Sequence, residues 1–241
     1  MRLNRFLAAA GLGSRRACDE LIRQGRIEIN GETAVLPGPD VDPALDRVRC
    51  DGERLKLPRK WFYLALHKPP GVLTTLADER DRPCITELLG PYRGKVFPVG
   101  RLDRASEGLL LLTNNGELAQ RLMHPRYRQE RTYLVWLRPR PSLEQLRQVA
   151  QGIQIGLREQ SGPAKVRLLA YKGEVGKVRI TLREGKNREV RRIFSQLGCQ
   201  VMTLRRVSYA GISLGGLPVG SMRLLMGEEV RTLGQRTHLD L

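Results

Sequence analysis

The chain has 241 residues, 41% of them hydrophobic, with 42 Lys and Arg against 25 Asp and Glu and a formal net charge of +17 at pH 7. That length suits one large domain, or a small module followed by a medium one, with apolar content enough for a core. So basic a balance points to a polyanionic partner, nucleic acid ahead of an anionic membrane surface, and no apolar run approaches the ~20 residues of a spanning helix. The basic start Met1-Arg2-Leu3-Asn4-Arg5 leads into an apolar run that breaks at Gly11, so no secretory signal is read. Cys18, Cys50, Cys84 and Cys199 are scattered, as are His67, His124 and His238. With no Cys-x-x-Cys, a zinc site is not expected, and free thiols fit a reducing, cytoplasmic setting.

Leu3, Phe6, Leu7 and Ala10 recur at i, i+3, i+4 and i+7 and predict one face of a short helix. Gly11-Leu12-Gly13 breaks it. Ser14 is placed to cap a second helix running to about Gln24, with Ala17, Cys18, Leu21 and Ile22 inward. Arg26 to Ile29 reads as a strand into an Asn30-Gly31 turn, and Val35-Leu36 and Arg47 to Cys50 as further short strands. Arg2, Arg5, Arg15, Arg16 and Arg23 crowd the first half of this block, although the first 60 residues carry only 12 Lys and Arg against 9 Asp and Glu. That concentration makes the helices a candidate reader of phosphate backbones, the alternative being an ordinary solvated helix face. The pattern R-L-N-R-F-L-A-A-A-G-L-G-S-R-R, then the helix, then R-I-E-I-N-G, resembles the small RNA-binding module of a ribosomal small-subunit protein, some tRNA synthetases and several RNA-modifying enzymes. Pro58-Arg59-Lys60 reads as a linker dividing residues 1–60 from 61–241.

Beyond it, Trp61 to Leu66 predicts a buried strand, with a turn at His67 to Gly71 and a second strand at Val72 to Thr75. Ala77 to Pro83 is an exposed loop by composition. Helices are predicted over Glu117 to Met123, Leu143 to Ala150 and Asn187 to Leu197, the last with Val190, Ile193, Phe194 and Leu197 as its core stripe. Strands are predicted at Tyr133 to Leu137, Ile153 to Ile155, Ala164 to Leu169, Lys177 to Leu182, Val201 to Val207, Gly211 to Leu214 and Ser221 to Leu225, with a frayed tail from Arg236. Strands outnumber helices and few strand-helix-strand units occur. The expected class is therefore α+β: a two-helix module with a short sheet, then a mixed, mainly antiparallel sheet with peripheral helices. Trp61 and Trp136 are read as core or domain-contact residues.

The stretch V-G-R-L-D-R-A-S-E-G-L-L-L-L-T-N-N-G, Val99 to Gly116, organises this second part. Asp103 sits between Arg101 and Arg104, just before the strand-like run Leu109 to Leu112. A carboxylate withdrawn from water costs several kcal/mol unless it is paired, and an arginine is its natural partner. Asp103 is therefore a candidate catalytic carboxylate; by spacing alone, a turn with surface charges is about as good a reading. The basic stretches 121–140 and 183–206 would make its cleft positive if they flank it.

The block G-R-L-D-R-A-S-E-G-L-L-L-L-T-N-N-G-E-L-A-Q-R-L-M-H-P, Gly100 to Pro125, resembles the signature of RNA pseudouridine synthases, in particular the bacterial branch that modifies ribosomal RNA and carries the small N-terminal module. F-Y-L-A-L-H-K-P-P-G from Phe62, E-R-T-Y-L-V from Glu130 and L-R-E-G-K-N-R-E-V-R-R-I-F from Leu182 agree with it. The resemblance implies that Asp103 is the essential aspartate, that Tyr133 stacks on the target base, that Arg191 pairs with the aspartate, and that Arg101 helps hold the RNA with its nucleotide turned out. Arg104, Lys68, Arg128, Arg131, Lys186, Arg188 and Arg192 are the further candidate RNA contacts. Where some branches read Gly-Arg-x-His-Gln, this chain reads Gly185-Lys186-Asn187-Arg188-Glu189, which fits the ribosomal branch. The expected partner is ribosomal RNA, 23S ahead of 16S, or an assembling subunit, engaged by a monomer without metal or cofactor. A non-catalytic assembly factor is the alternative of a different class; a nuclease would want several carboxylates for metal ions, and near Asp103 the sequence offers only Glu107.

Overall fold

The computed structural model describes every residue except Pro37 and Arg59. Arg59 of the predicted linker therefore lies outside the described residues. The chain divides into two units: Met1–Phe62 with Tyr92–Phe97 and Asn114–Gly116, and Tyr63–Pro91 with Pro98–Thr113 and Glu117–Leu241.

In the smaller unit the periodic apolar positions form helices α1 (Leu3–Ala9) and α2 (Arg15–Arg23). Ser14 accepts from Ala17 N through its side chain and so satisfies one of the orphan amides of the α2 terminus. Strands β1 (Ile27–Ile29), β2 (Glu32–Thr33), β3 (Val48–Cys50) and β4 (Glu53–Arg54) form a sheet in the order β2-β1-β3-β4. Leu3, Phe6, Leu7, Cys18, Ile22, Ile27 and Val48 close its core. Val35-Leu36, expected as a strand, is not one; both side chains are exposed, so no burial rewards an extended pairing there.

The larger unit is built on β5 (Tyr63–Lys68), β6 (Phe97–Pro98), β7 (Glu107–Thr113), β8 (Arg131–Arg138), a β9 (Gln154–Gly156) and β10 (Glu159–Gln160) pair, β11 (Lys165–Lys172), β12 (Val175–Leu182), β13 (Gln200–Tyr209), β14 (Ile212–Ser213) and β15 (Met222–Leu224). The main sheet runs β11-β12-β8-β13-β7-β5-β15. All of its pairings are antiparallel except β13 with β7. Helices α3 (Gly116–Met123), α4 (Leu143–Gln151), α5 (Glu189–Gln196) and α6 (Gly227–Thr237) accompany it. Leu146 and Val149 of α4 and Val190, Ile193 and Phe194 of α5 pack on Val135, Leu137, Val178, Ile180 and Leu204, so one face of the sheet carries the core. No helix among the described residues is long and apolar enough to cross a membrane.

Two expectations change here. Val72 to Thr75 makes only an isolated bridge, Leu73 with Cys84, because the following loop holds the segment rather than a strand partner. The tail is not frayed at Arg236: α6 runs to Thr237, which is fully buried, and Arg121 donates to the carbonyls of Thr237 and His238 at 2.8 and 2.7 Å.

At the parallel junction of β13 with β7 the two backbones approach closely. Arg205 pairs with Glu107 and Arg206 with Gly108. Gly108 has φ +106, and a methyl there would land on the Arg206 carbonyl oxygen and 2.7 Å from its nitrogen. Only glycine permits both that backbone conformation and that approach. One transverse row of the sheet then runs Lys68, Gly108, Arg206, Tyr133, Ile180. Gly108→Ala is expected to destabilise the protein by on the order of 3 kcal/mol, through left-handed strain and separation of the two strands. Denaturant unfolding checks this; a loss below about 0.5 kcal/mol would mean that the strands can part without cost.

Candidate active site

Asp103 lies on the loop from Val99 to Ser106 that feeds β7, and this loop is tied down along its length. Val99 N donates to Leu111 O at 2.8 Å. Thr74 Oγ1 donates to Leu102 O at 2.8 Å and accepts from Leu102 N at 3.2 Å. Ser106 N donates to the carbonyl of Asp103 itself at 3.0 Å. Gly71 N donates to Arg104 O at 2.7 Å, and Arg104 Nε returns to Gly71 O at 3.0 Å. Leu102 is buried while the Asp103 side chain stays 33% exposed, so the carboxylate has a fixed backbone and an open approach.

Three cations converge on it. Arg188, in left-handed conformation just ahead of α5, brings Nη1 to 3.8 Å from Asp103 Oδ2. Arg191, one turn on, donates to Ala105 O at 3.2 Å, Ser106 Oγ at 3.5 Å and Val201 O at 3.4 Å. Burial and the neighbouring Arg188 depress the proton affinity of its guanidinium, and Asp103 pulls the other way. Arg188 therefore holds the ion-pair position expected for Arg191. Arg191 instead grips the loop that carries Asp103, through the Ala105 carbonyl and the Ser106 hydroxyl, while its charge still acts on the carboxylate.

Lys68 is the third cation, and the expectation of an RNA contact is corrected. Its side chain is fully buried, with Nζ donating to Pro69 O at 2.7 Å and Ser106 O at 2.8 Å, so no phosphate reaches it. Burial pushes its pKa down from 10.5 to about 8, against the opposing pull of Asp103 and Glu107. The apolar run stops at Leu66, but the strand continues through His67 and Lys68 to the Pro69 that ends it, which puts Lys68 inside it. Glu107 was also undervalued. It is buried in β7 and accepts from Arg205 Nε at 2.6 Å. A carboxylate opening a run of buried leucines must find a partner, and the Arg205-Arg206 pair in a strand was the clue.

Tyr133 stands on β8, partly buried, on the face that carries Val135 and Leu137 and in the same row as Arg206 and Lys68. Arg101, Arg104, Arg128 and Arg188 are exposed in the same unit as Asp103. Arg131, Lys186 and Arg192 are less free than expected of RNA contacts. Arg131 donates to the carbonyls of Gln129 and Glu184 and stacks on Tyr209. Lys186 pairs with Glu184 at 2.7 Å, and Arg192 with Glu159 at 2.6 Å. In the smaller unit Arg2 bonds Gly38 O, Arg15 bonds Asn4 and Arg23 pairs with Glu20, while Arg16 is exposed and Arg5 half-buried. Beside the 183–189 loop lies a cavity of about 840 Å³, lined among others by Arg128, Arg131, Lys186 and Glu189. Burial raises the proton affinity of the Glu189 carboxyl, whose Oε2 accepts from Lys186 N at 3.1 Å.

Comparison with known proteins bears on this arrangement directly. Residues 62–196 match the family model for RNA pseudouridylate synthases, and residues 1–43 match that for the S4 domain. The chain belongs to the RNA pseudouridine synthase family. It is 42% identical to an RNA pseudouridine synthase of Mycobacterium tuberculosis, over 99% of this chain and 95% of that one. It is 36% identical to the ribosomal large subunit pseudouridine synthase B of Bacillus subtilis, over 96% and 95%. A crystal structure of a pseudouridylate synthase, 30% identical, superposes with a TM-score of 0.71 over 97% of this chain and 99% of that one. The protein is thus an isomerase of the pseudouridine synthase class, with an S4-like RNA-binding module ahead of its synthase domain.

The displaced pKa of Lys68 gives a test of the loop anchor. In the folded protein the value lies near 8, below the 10.5 of an exposed lysine. Between those values the unfolded chain binds a proton that the folded chain lacks, so stability rises with pH across that window. Below about pH 8 the folded protein carries the full cost of a buried ammonium. Relative to Lys68→Met, the natural protein should gain on the order of 2 kcal/mol from pH 7 to pH 10, measured by urea unfolding at each pH. Parallel stability profiles for the two proteins would rule out a displaced lysine.

Proposed function

We propose that this synthase isomerises a specific uridine of large-subunit (23S) ribosomal RNA to pseudouridine, with Asp103 as the reacting carboxylate. The carrying observation is a fixed, partly exposed carboxylate facing Arg188, with Arg191 and the buried Lys68 on the loop behind it. The subunit assignment draws on the names of the relatives in Bacillus subtilis and Yersinia pestis, both ribosomal large subunit pseudouridine synthases B.

The chemistry asks for little more than this. The bond between ribose and ring nitrogen breaks, the uracil turns in place, and a ring carbon rejoins the sugar. An ionised carboxylate has two routes: attack on the anomeric carbon, or removal of a proton from the neighbouring sugar carbon. Both need the charged form, and the Arg188 guanidinium stands 3.8 Å from it. Tyr133 stacks on the uracil while it is detached. Turning the nucleotide out costs a few kcal/mol. Phosphate contacts from Arg101, Arg104, Arg128, Arg188 and the arginines of the S4-like module offset that cost. The enzyme works as a monomer in the cytoplasm, on ribosomal RNA or on an assembling subunit.

The test uses ribosomal RNA from cells lacking the gene, incubated with the natural protein or with Asp103→Asn, and pseudouridines mapped by chemical labelling and primer extension. One new site in 23S RNA is expected, and a loss of at least about 10³-fold for the variant. A site in 16S RNA would move the substrate to the small subunit. Salt-sensitive binding without any new site, on naked RNA or on either particle, would make the protein an assembly factor.

A further inference from the structure

The sheet has a second face that the active site does not use. Along β8, Tyr133, Val135 and Leu137 point to the core, so Thr132, Leu134 and Trp136 point the other way. The register extends that outer face across four strands. One row runs Arg167, Arg179, Leu134, Arg205, and the next carries Lys177, Trp136 and Thr203. Arg167 and Arg179 are exposed. They sit directly opposite each other, and among the described residues neither has an acidic partner. Like charges in a facing cross-strand pair repel, so folding alone gives no reason for this pair.

Trp136 orders two further cations. Lys177 Nζ lies 5.0 Å and the Arg205 guanidinium 5.7 Å from its ring, each within cation–π range. Held this way, they lose less freedom when an anion arrives. Carboxylates pair with cations at the two ends of this face: Glu107 with Arg205 toward β7, and Glu130 with Lys165 and Arg183 at the other end. Arg167 to Arg205 spans about 14 Å, three interstrand spacings, which suits a run of phosphates rather than a single small anion.

We propose that this outer face is a second RNA-docking surface, back to back with the catalytic face, which takes the sugar-phosphate backbone of a segment away from the target uridine. The proposal rests on the reading of RNA as substrate. It implies a long, folded RNA, because a short stem-loop seated at Asp103 on one face does not reach round to the other.

Binding decides it without any turnover. The natural protein, Arg167→Gln/Arg179→Gln, and a matched control, Arg147→Gln/Arg158→Gln, are titrated with full-length deproteinised 23S RNA and with a short RNA stem-loop across a salt series. The control removes two exposed charges elsewhere. For the outer-face variant, affinity for the long RNA should fall on the order of tenfold or more near 0.15 M salt, and the salt slope should drop by about two. The stem-loop should bind the three proteins alike. Equal losses in variant and control would reduce the effect to bulk charge, and equal losses on both RNAs would merge the surface with the catalytic cleft. Either result overturns the proposal, as does an unchanged affinity for the long RNA. Because pseudouridine is not the readout, failure here and failure of the catalytic assignment are separate outcomes.

Discussion

A buried ammonium group holds the loop of Asp103 to the sheet. Lys68 ends β5 and spends its donors on the carbonyls of Pro69 and Ser106, one on each side of the β5–β7 junction. A hydrogen bond from a charged donor contributes about 1.5–3 kcal/mol, against a burial cost of several kcal/mol for the ion. The balance is close, and the nearby carboxylates of Asp103 and Glu107 help tip it toward the charged form. Without Lys68 the Ser106 carbonyl loses its partner just where the loop turns into β7. The position of Asp103 depends on that turn, and so does the grip of Arg191 on Ala105 and Ser106.

Around this anchor the same few residues serve packing and electrostatics together. Gly108 lets β13 approach β7 in parallel, which brings Arg205 to Glu107 and Arg206 to Leu109 O at 2.7 Å. The approach of β13 also sets β8 one strand further out, with Tyr133 in line with Arg206. Arg191 reaches from α5 to both Val201 on β13 and the loop of Asp103, so it spans the two halves of the sheet. A cation that bonds backbone carbonyls keeps its charge near a carboxylate without a fixed side-chain pair. The carboxylate is then left to the more exposed Arg188, which is 54% exposed and 3.8 Å away.

Much of this was legible in the chain. The helix periodicity at Leu3 and Ser14, the strict alternation Val178-Ile180-Leu182 and the stripe Val190-Ile193-Phe194 each correspond to a buried face. They were readable because one-sided burial imposes its period on the sequence. The family blocks carried Asp103, which spacing alone left even between catalysis and a surface turn. What stayed hidden depends on contacts between distant segments. Nothing local in Arg188 or Arg191 says which meets Asp103, since both lie on one basic turn and the choice follows from how α5 docks on β13. Val72 to Thr75 has strand-like residues but no partner strand, and the tail beyond Arg236 gains its order from Arg121, 116 residues away in sequence.

The two-residue period of a strand explains how a single sheet can answer to two constraints at once. In β8 the odd positions Tyr133, Val135 and Leu137 face the core. The even positions Thr132, Leu134 and Trp136 are released to another task. In β12 the same division sets Val178, Ile180 and Leu182 against Lys177, Arg179 and Thr181. A sheet with only one buried face needs no more than polar residues on the other. Here the outer positions instead set Arg167, Lys177, Arg179 and Arg205 around the Trp136 indole. Alternation lets such a face change without disturbing Tyr133 or the core beneath it, so the two faces of one set of strands can vary separately.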